Sequence, residues 1–477
     1  MTRRLISVVV AVLVAVVLVL PAHAAQAAVA VTLPDTPAGH HAAAYLAAFN
    51  AGTDDAMRVF FTEHISAAGL QQRSVEARLA AGKQFRQELR TLTAHKVLSE
   101  GENRLEILAQ GGNGDWVALT FETEPNPPHK LALGVRIVES DSPEELAAAP
   151  KTLAELGPAL DRSLTSATAA DEFAGAVLVS RKGAPLYQKA FGLASREYGV
   201  PNTIDTRFNL GSINKVFTRL AIAQLVEKSL LAPTDTLGKL LPDYPNRDAA
   251  AKVTVQQLLD MTSGIGDFFG PRFEDTPKDR LRTIGDYLPL FAAEPLLFEP
   301  GSSERYSNGG YVVLGAIIER VSGQDYYTYV REHIYLPAGM TSTESFEADG
   351  LTPNVASGYT RGDDGTPGSL RSNIYTRPAR GSSAGGGYST VGDMTRFVAA
   401  LRDGRLLSSG SLQRFFPGLA SQQAGGMGVL GGAPGISAAL DVDTRTDTVV
   451  VVLTNLDPPC AEKVARRLRT WLRTAKE

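Results

Sequence analysis

Ser212 and Lys215 stand three residues apart in Phe208-Asn209-Leu210-Gly211-Ser212-Ile213-Asn214-Lys215, directly ahead of VFTRLAIAQLVEK. On a helix, residues i and i+3 share a face, which brings the lysine amine towards the serine hydroxyl. From Val216 to Val226 the only polar side chains are Thr218, Arg219 and Gln224. A helix so apolar is buried, so its start lies at a core boundary rather than on open surface. Burial disfavours the ammonium form, and a neutral lysine can take the serine's proton. The helix start adds backbone N–H groups where an oxyanion would develop. S-x-x-K occurs once in the chain. A serine at a helix start also serves as an ordinary cap; its companions elsewhere in the chain favour a nucleophile.

The second group is Tyr306-Ser307-Asn308, in FEPGSSERYSNGGYVVLGAIIERVSG. A tyrosine beside a cationic lysine can ionise and act as base, then as acid to a leaving group. Asn308 can hydrogen-bond a substrate carbonyl or hold Lys215. The same Y-x-N spacing recurs at Tyr244-Pro245-Asn246, but LLPDYPNRD is a Pro-containing turn. Gly381-Ser382-Ser383-Ala384-Gly385 matches G-x-S-x-G, which requires a preceding strand and a later histidine. Beyond residue 129 the only histidine is His333, which precedes Ser383, so RPARGSSAGGG is expected to be a flexible Gly-rich loop. His40, His41, His64 and His95 show no ligand spacing, so neither metal nor cofactor is expected. A lone cysteine, Cys460, excludes an intramolecular disulfide. The net charge of -4 gives no reason to expect nucleic acid.

Positioning these groups takes a large unit. The 477 residues allow two or three domains at about 150 residues each. Residues 1–28 carry Arg3 and Arg4, an apolar run from Leu5 to Leu20, Pro21 and tandem A-x-A sites. That is the layout of a cleaved secretory signal peptide, and no lipoprotein cysteine follows it. The expected location is secreted, periplasmic or cell-envelope, with no stable membrane anchor. Residues 31–140 give three helical stretches and then four strand-like runs, a small α+β accessory domain, and 141–153 form an acidic linker. The second unit, 154–477, has β-rich runs flanking Arg181-Lys182-Gly183 and a second pair around an Asp/Thr turn in ISAALDVDTRTDTVVVVLTNL, then a basic closing helix. Strands at both ends with a helical middle predict one antiparallel sheet built from distant segments, flanked by helices. An all-helical subdomain stands beside it. The fold class is α+β.

With these motifs assembled, residues 155–475 resemble the serine β-lactamase and penicillin-binding-protein superfamily, in its β-lactamase-related, class C-like and esterase branch. TVQQLLDMTSGIGDFFG, AGGGYSTVGDMTRFVAAL and GGAPGISAALDV extend the resemblance. The element order of 31–140 resembles the nuclear-transport-factor-like cone fold. The larger resemblance implies an acylated nucleophile at Ser212, with Lys215 its base or proton relay. It further implies that Tyr306 shares the proton transfers, that Asn308 orients substrate, and that the N–H groups of Ser212 and Gly432 form the oxyanion hole. The substrate would be a small-molecule or peptide ester or amide. One position departs: the family's third motif opens with Lys or His, and here that place is Val429. Valine gives a substrate carboxylate no ionic partner, so esterase-like activity is expected over true β-lactamase or D,D-peptidase activity. The rival reading is a pseudoenzyme or covalent binding protein whose first domain binds a ligand or partner.

The departure predicts poor hydrolysis of nitrocefin beside measurable turnover of neutral short-chain esters. Val429→Lys or Val429→His should improve reaction with carboxylate-bearing substrates relative to neutral esters. A charged hydrogen bond of about 1.5–3 kcal/mol corresponds to about tenfold to a hundredfold in kcat/KM at best. Efficient nitrocefin turnover by the unmodified chain, or no gain from either substitution in folded protein, would refute this use of position 429.

Overall fold

A computed structural model describes residues 31–361 and 369–476. The signal-peptide segment lies outside the described residues. The chain divides into two compact units between Ala147 and Ala148.

The first unit opens with four helices, Pro37–Asn50, Asp54–His64, Ala67–Gln72 and Val75–Leu89. Each starts where a Ser or Thr hydroxyl accepts a backbone N–H two or three residues into the helix: Thr36 from Gly39, Thr53 from Ala56, Ser66 from Gly69 and Ser74 from Ala77. The helix Ala67–Gln72 is additional to the three helical stretches expected, because its six residues are too few to display a 3.6-residue period. Four strands, Leu92–Gly101, Arg104–Gly111, Trp116–Thr123 and Leu131–Glu139, follow as an antiparallel meander in chain order. Ile107 faces Leu119 across one ladder, and Leu119 faces Ile137 across the next. Tyr45, Phe49, Phe60, Leu119 and Phe121 close the core between helices and sheet. The segment expected as plain linker holds one short helix, Pro143–Ala147. It begins where Ser142 and Glu145 cap each other reciprocally.

The second unit is built on a five-stranded antiparallel sheet in the order Met427–Ala433, Ile436–Asp443, Thr448–Thr454, Gly175–Arg181, Ala184–Phe191. Val451 pairs with Leu178, and Leu440 with Val451. Side chains alternate between faces along a strand, and here both faces are covered. Leu178, Leu440 and Val451 join the large core that contains Phe217, Ile317, Tyr326 and Phe397. Val177, Val179, Val450 and Val452 face Leu156, Leu160 and Leu164 from one helix and Val464, Leu468 and Trp471 from the closing helix Cys460–Thr474. Double coverage explains why Thr448–Thr454 is an unbroken, fully buried run rather than an alternating one. Arg469 of the closing helix lies 2.7 Å from the buried Asp441 carboxylate, so this basic residue ties helix to sheet. The architecture is α+β, an antiparallel sheet flanked by helices. No helix among the described residues is long and apolar enough to cross a membrane.

Because residues 148–477 contain the whole sheet and both of its helical layers, that fragment alone should fold and give a native-like circular dichroism spectrum that is lost cooperatively on heating. A version cut before Thr448 loses the strand that joins both hairpins and should be unfolded. A soluble full chain with an unfolded 148–477 fragment would show that the second unit's core is incomplete without the first.

Candidate active site

The nucleophile candidate sits where three backbone segments meet. Phe208–Asn209 pairs with Tyr388–Ser389, the chain turns through Gly211–Asn214 as one 3₁₀ turn, and Lys215–Glu227 continues as the buried helix. Gly211 has φ +50°, and a Cβ there would lie 2.8 Å from the Gly432 nitrogen. A Cβ on Gly431 would meet the Leu210 carbonyl oxygen at 2.0 Å. Glycine at both places lets the edge strand Met427–Ala433 press its backbone against the Ser212 turn. The Gly432 nitrogen therefore lies beside the residue preceding Ser212.

Lys215 Nζ is 3.2 Å from Ser212 Oγ, and it donates to Asn308 Oδ1 and to the Ala384 carbonyl, each at 2.6 Å. The Tyr306 hydroxyl reaches the same Ser212 Oγ at 2.6 Å. Tyr306 is placed by its C-terminal neighbour: Ser307 caps the helix Asn308–Ser322, accepting from Gly310 N, and its hydroxyl donates to the Gly266 carbonyl. Asn308, the first residue of that helix, gives its Nδ2 to Asp267 Oδ2 at 2.8 Å. Ser212, Lys215, Tyr306 and Asn308 thus form one connected network. Asn308 has its Oδ1 on the lysine and one amide hydrogen on Asp267, leaving a single N–H for anything else.

Electrostatics divide the two proton-transfer candidates. Burial pushes the Lys215 amine down to about 7, against an opposing pull from Asp267. The Tyr306 hydroxyl moves the other way: loss of solvent raises it, the Ser212 hydrogen bond lowers it, and Asp267 and Tyr311 raise it further. A tyrosinate base, one of the roles open to Tyr306 from its sequence, is disfavoured by this environment. The phenol has no compensating fixed cation when the neighbouring lysine is itself half neutral.

Asp267 went unassigned in the sequence, although TSGIGDFFG contains it; a lone carboxylate in an apolar turn has no spacing signature. The Gly-rich loop also differs from expectation. Ser382, Ser383 and Ala384 are buried, and the loop is a fixed wall: Asn214 Nδ2 donates to the Ser382 carbonyl, Thr218 Oγ1 to the Ser383 carbonyl, and Ser383 Oγ to the Tyr311 carbonyl. A Cβ on Gly387 would lie 2.4 Å from Asn214 Oδ1. Packing, not flexibility, accounts for the glycines, and a fully enclosed Ser383 is no nucleophile. Tyr244 is buried in the core and Asn246 caps the helix Arg247–Lys252, apart from the Ser212 network. Val429 lies two residues from Gly431 on the same face of the edge strand. It lines a pocket whose wall includes Lys215 and Tyr311.

Asp267 holds Lys215 towards its charged form, so Asp267→Asn should let the amine fall further and move the rising limb of kcat/KM to lower pH. Asp267→Ala additionally frees Asn308 and should lower kcat by about tenfold or more, the worth of one charge-assisted hydrogen bond. An unmoved pH limb in Asp267→Asn would remove the carboxylate from the site's electrostatics.

The family described as Beta-lactamase matches residues 160–474. PbpX of Bacillus subtilis (strain 168), assigned as a penicillin-binding protein, is 29% identical over 353 residues, 72% of this chain and 86% of PbpX. The crystal structure of a penicillin-binding protein from Bacillus halodurans superposes with a TM-score of 0.59 at 31% identity, covering 64% of this chain and 98% of that one. Esterase EstB of Burkholderia gladioli is 35% identical over 201 residues, 39% of this chain and 51% of the enzyme. The match takes in both hairpins of the sheet, the helix Lys215–Glu227 and the helix after Tyr306; on that extent the chain belongs to the β-lactamase family, within the serine β-lactamase and penicillin-binding-protein superfamily of serine hydrolases.

Proposed function

We propose that the chain is an exported, esterase-like serine hydrolase that works through a Ser212 acyl-enzyme. The observation that carries this reading is the convergence of Lys215 Nζ and the Tyr306 hydroxyl on one serine oxygen, at 3.2 and 2.6 Å, with the amine near neutrality.

Neutral Lys215 takes the Ser212 proton as Oγ bonds to the acyl carbon, and the carbonyl oxygen becomes the anion received by the Ser212 and Gly432 N–H groups. Tyr306, retaining its proton, donates it to the departing alkoxide or amine, and the Lys215 ammonium restores the phenol. Water then adds to the acyl-enzyme, with the same pair returning protons in reverse order. Asn308 and Ala384 keep the amine aimed at Oγ. Val429 in place of a cation supports neutral esters over carboxylate-bearing substrates, and EstB's name, an esterase, supports the ester class. The layout of residues 1–28 supports export, and the first unit is assigned an accessory role.

Activity should climb with pH through about 7, where Lys215 loses its proton, and level off above. Ser212→Ala should abolish both labelling by a fluorophosphonate and turnover of p-nitrophenyl acetate. Ser383→Ala should keep both, at a stability cost of about 1 kcal/mol for its buried hydrogen bond. Labelling that survives Ser212→Ala would overturn the site. Labelling at Ser212 with no turnover of any ester or amide would instead make the chain a covalent binding protein.

A further inference from the structure

The pocket beside Lys215 has a volume of about 290 Å³, and Val429 is part of its lining. Its inner wall is carbon: Phe415, Phe416 and Leu419 are buried, and Val429 and Met427 are packed against the same core. Arg219 also lines it, but the guanidinium donates to the Leu259 carbonyl at 2.6 Å and bonds the Tyr311 hydroxyl, which turns its charge to groups in the wall. The rim is where Pro417 is exposed and Gly418, Met427 and Val429 are half-buried, along the free edge of the sheet. Two links join this space to the nucleophile. Lys215 forms part of its wall, and Gly431, the next residue after Val429 on that face, packs where a Cβ would lie 3.0 Å from Ser212 N.

We propose that this pocket is the acyl-chain subsite, selecting esters of unbranched apolar acids several carbons long. The inference rests on the hydrolase reading and deepens it by naming the acyl group. An apolar, partly closed space continuous with the catalytic lysine is filled by methylenes at a gain of about fourfold in binding per methylene buried. Space that a long cationic side chain at position 429 would occupy is left by valine for substrate instead. Loss of the cation and gain of the pocket are one change, from ionic to apolar recognition.

The test compares p-nitrophenyl acetate, butanoate and hexanoate, together with the mono-p-nitrophenyl ester of adipic acid, whose acyl chain has hexanoate length but ends in a carboxylate. The full chain should show kcat/KM rising from acetate to hexanoate by at least about tenfold, through KM, with the adipate ester well below hexanoate. Met427→Trp, at the rim, and Leu419→Phe, in the wall, should each collapse the hexanoate-to-acetate ratio to within about threefold of unity. Two positions guard against one variant failing to fold. Acyl-length-independent turnover, a ratio that survives both fillings in folded protein, or a preference for the adipate ester would each overturn the proposal, the last because Arg219 would then define the pocket. Calorimetric binding of the uncleaved acetate and hexanoate esters to Ser212→Ala protein makes the same comparison without chemistry. Chain-length-dependent binding with no turnover in the unmodified protein would keep the pocket and refute the hydrolase reading. Binding that is equal for both esters would refute the pocket alone.

Discussion

An amine has been taken out of water next to a hydroxyl, and most of the second unit's local design serves to keep it there. A buried ammonium demands a counter-charge, and a carboxylate in direct contact would hold it protonated. Lys215 receives neutral acceptors instead, Asn308 Oδ1 and the Ala384 carbonyl. The carboxylate is set one residue further out, where Asp267 bonds Asn308 rather than the lysine. The faces of Tyr306 and Tyr311, 4.7 and 5.5 Å from Nζ at their ring centres, favour the cation mildly and cost nothing when the proton leaves. That graded arrangement leaves both protonation states accessible near neutral pH. A buried lysine of this kind also weakens the fold: between its depressed value of about 7 and its ordinary 10.5 the unfolded chain holds a proton that the folded chain lacks, so the cost grows as pH falls through that window and is full below it. The apolar helix behind Lys215 and the doubly covered sheet offset that cost.

How much of this was legible in the sequence depends on how local each signal is. The S-x-x-K pair and the apolar helix are neighbours in sequence, and so are the two hairpins with their turn residues, because their physics is contained within a dozen residues. The family resemblance then joined Tyr306 to Ser212. What escaped was whatever acts through backbone or through a single residue. Ala384 contributes a carbonyl, which any residue owns. Asp267 is one carboxylate among many. The loop around Ser383 looks mobile by composition, yet the side chains of Asn214, Lys215, Thr218 and Tyr327 bond its carbonyl oxygens and enclose it. The Tyr306 shift could not be read either, since its direction depends first on the loss of solvent around the folded side chain, to which Asp267 and Tyr311 add. In the first unit, a six-residue helix left no periodic trace.

Glycine sets the closeness of the walls. Gly211 and Gly431 meet across the Ser212 turn, and Gly387 lies against Asn214. A methyl group at any of these points would push the edge strand or the Gly-rich loop outward, shifting the Gly432 N–H or the Ala384 carbonyl away from Ser212 and Lys215. The site is therefore built less from specialised side chains than from backbones packed at a distance that only glycine permits.

The strand Thr448–Thr454 lies between Ile436–Asp443 and Gly175–Arg181, so it bridges segments more than 250 residues apart in the chain. On a ribosome adding about 5–20 residues each second, the first hairpin waits at least ten seconds or so for its partner. During that interval Gly175–Arg181, whose first six residues end up buried, has an unpaired side. The helix Lys215–Glu227 has only that hairpin, not the completed sheet, to pack against. Whatever escorts the nascent chain must shield these two apolar surfaces, and the site near Ser212 can assemble only once Thr448–Thr454 has been made and joins the two hairpins.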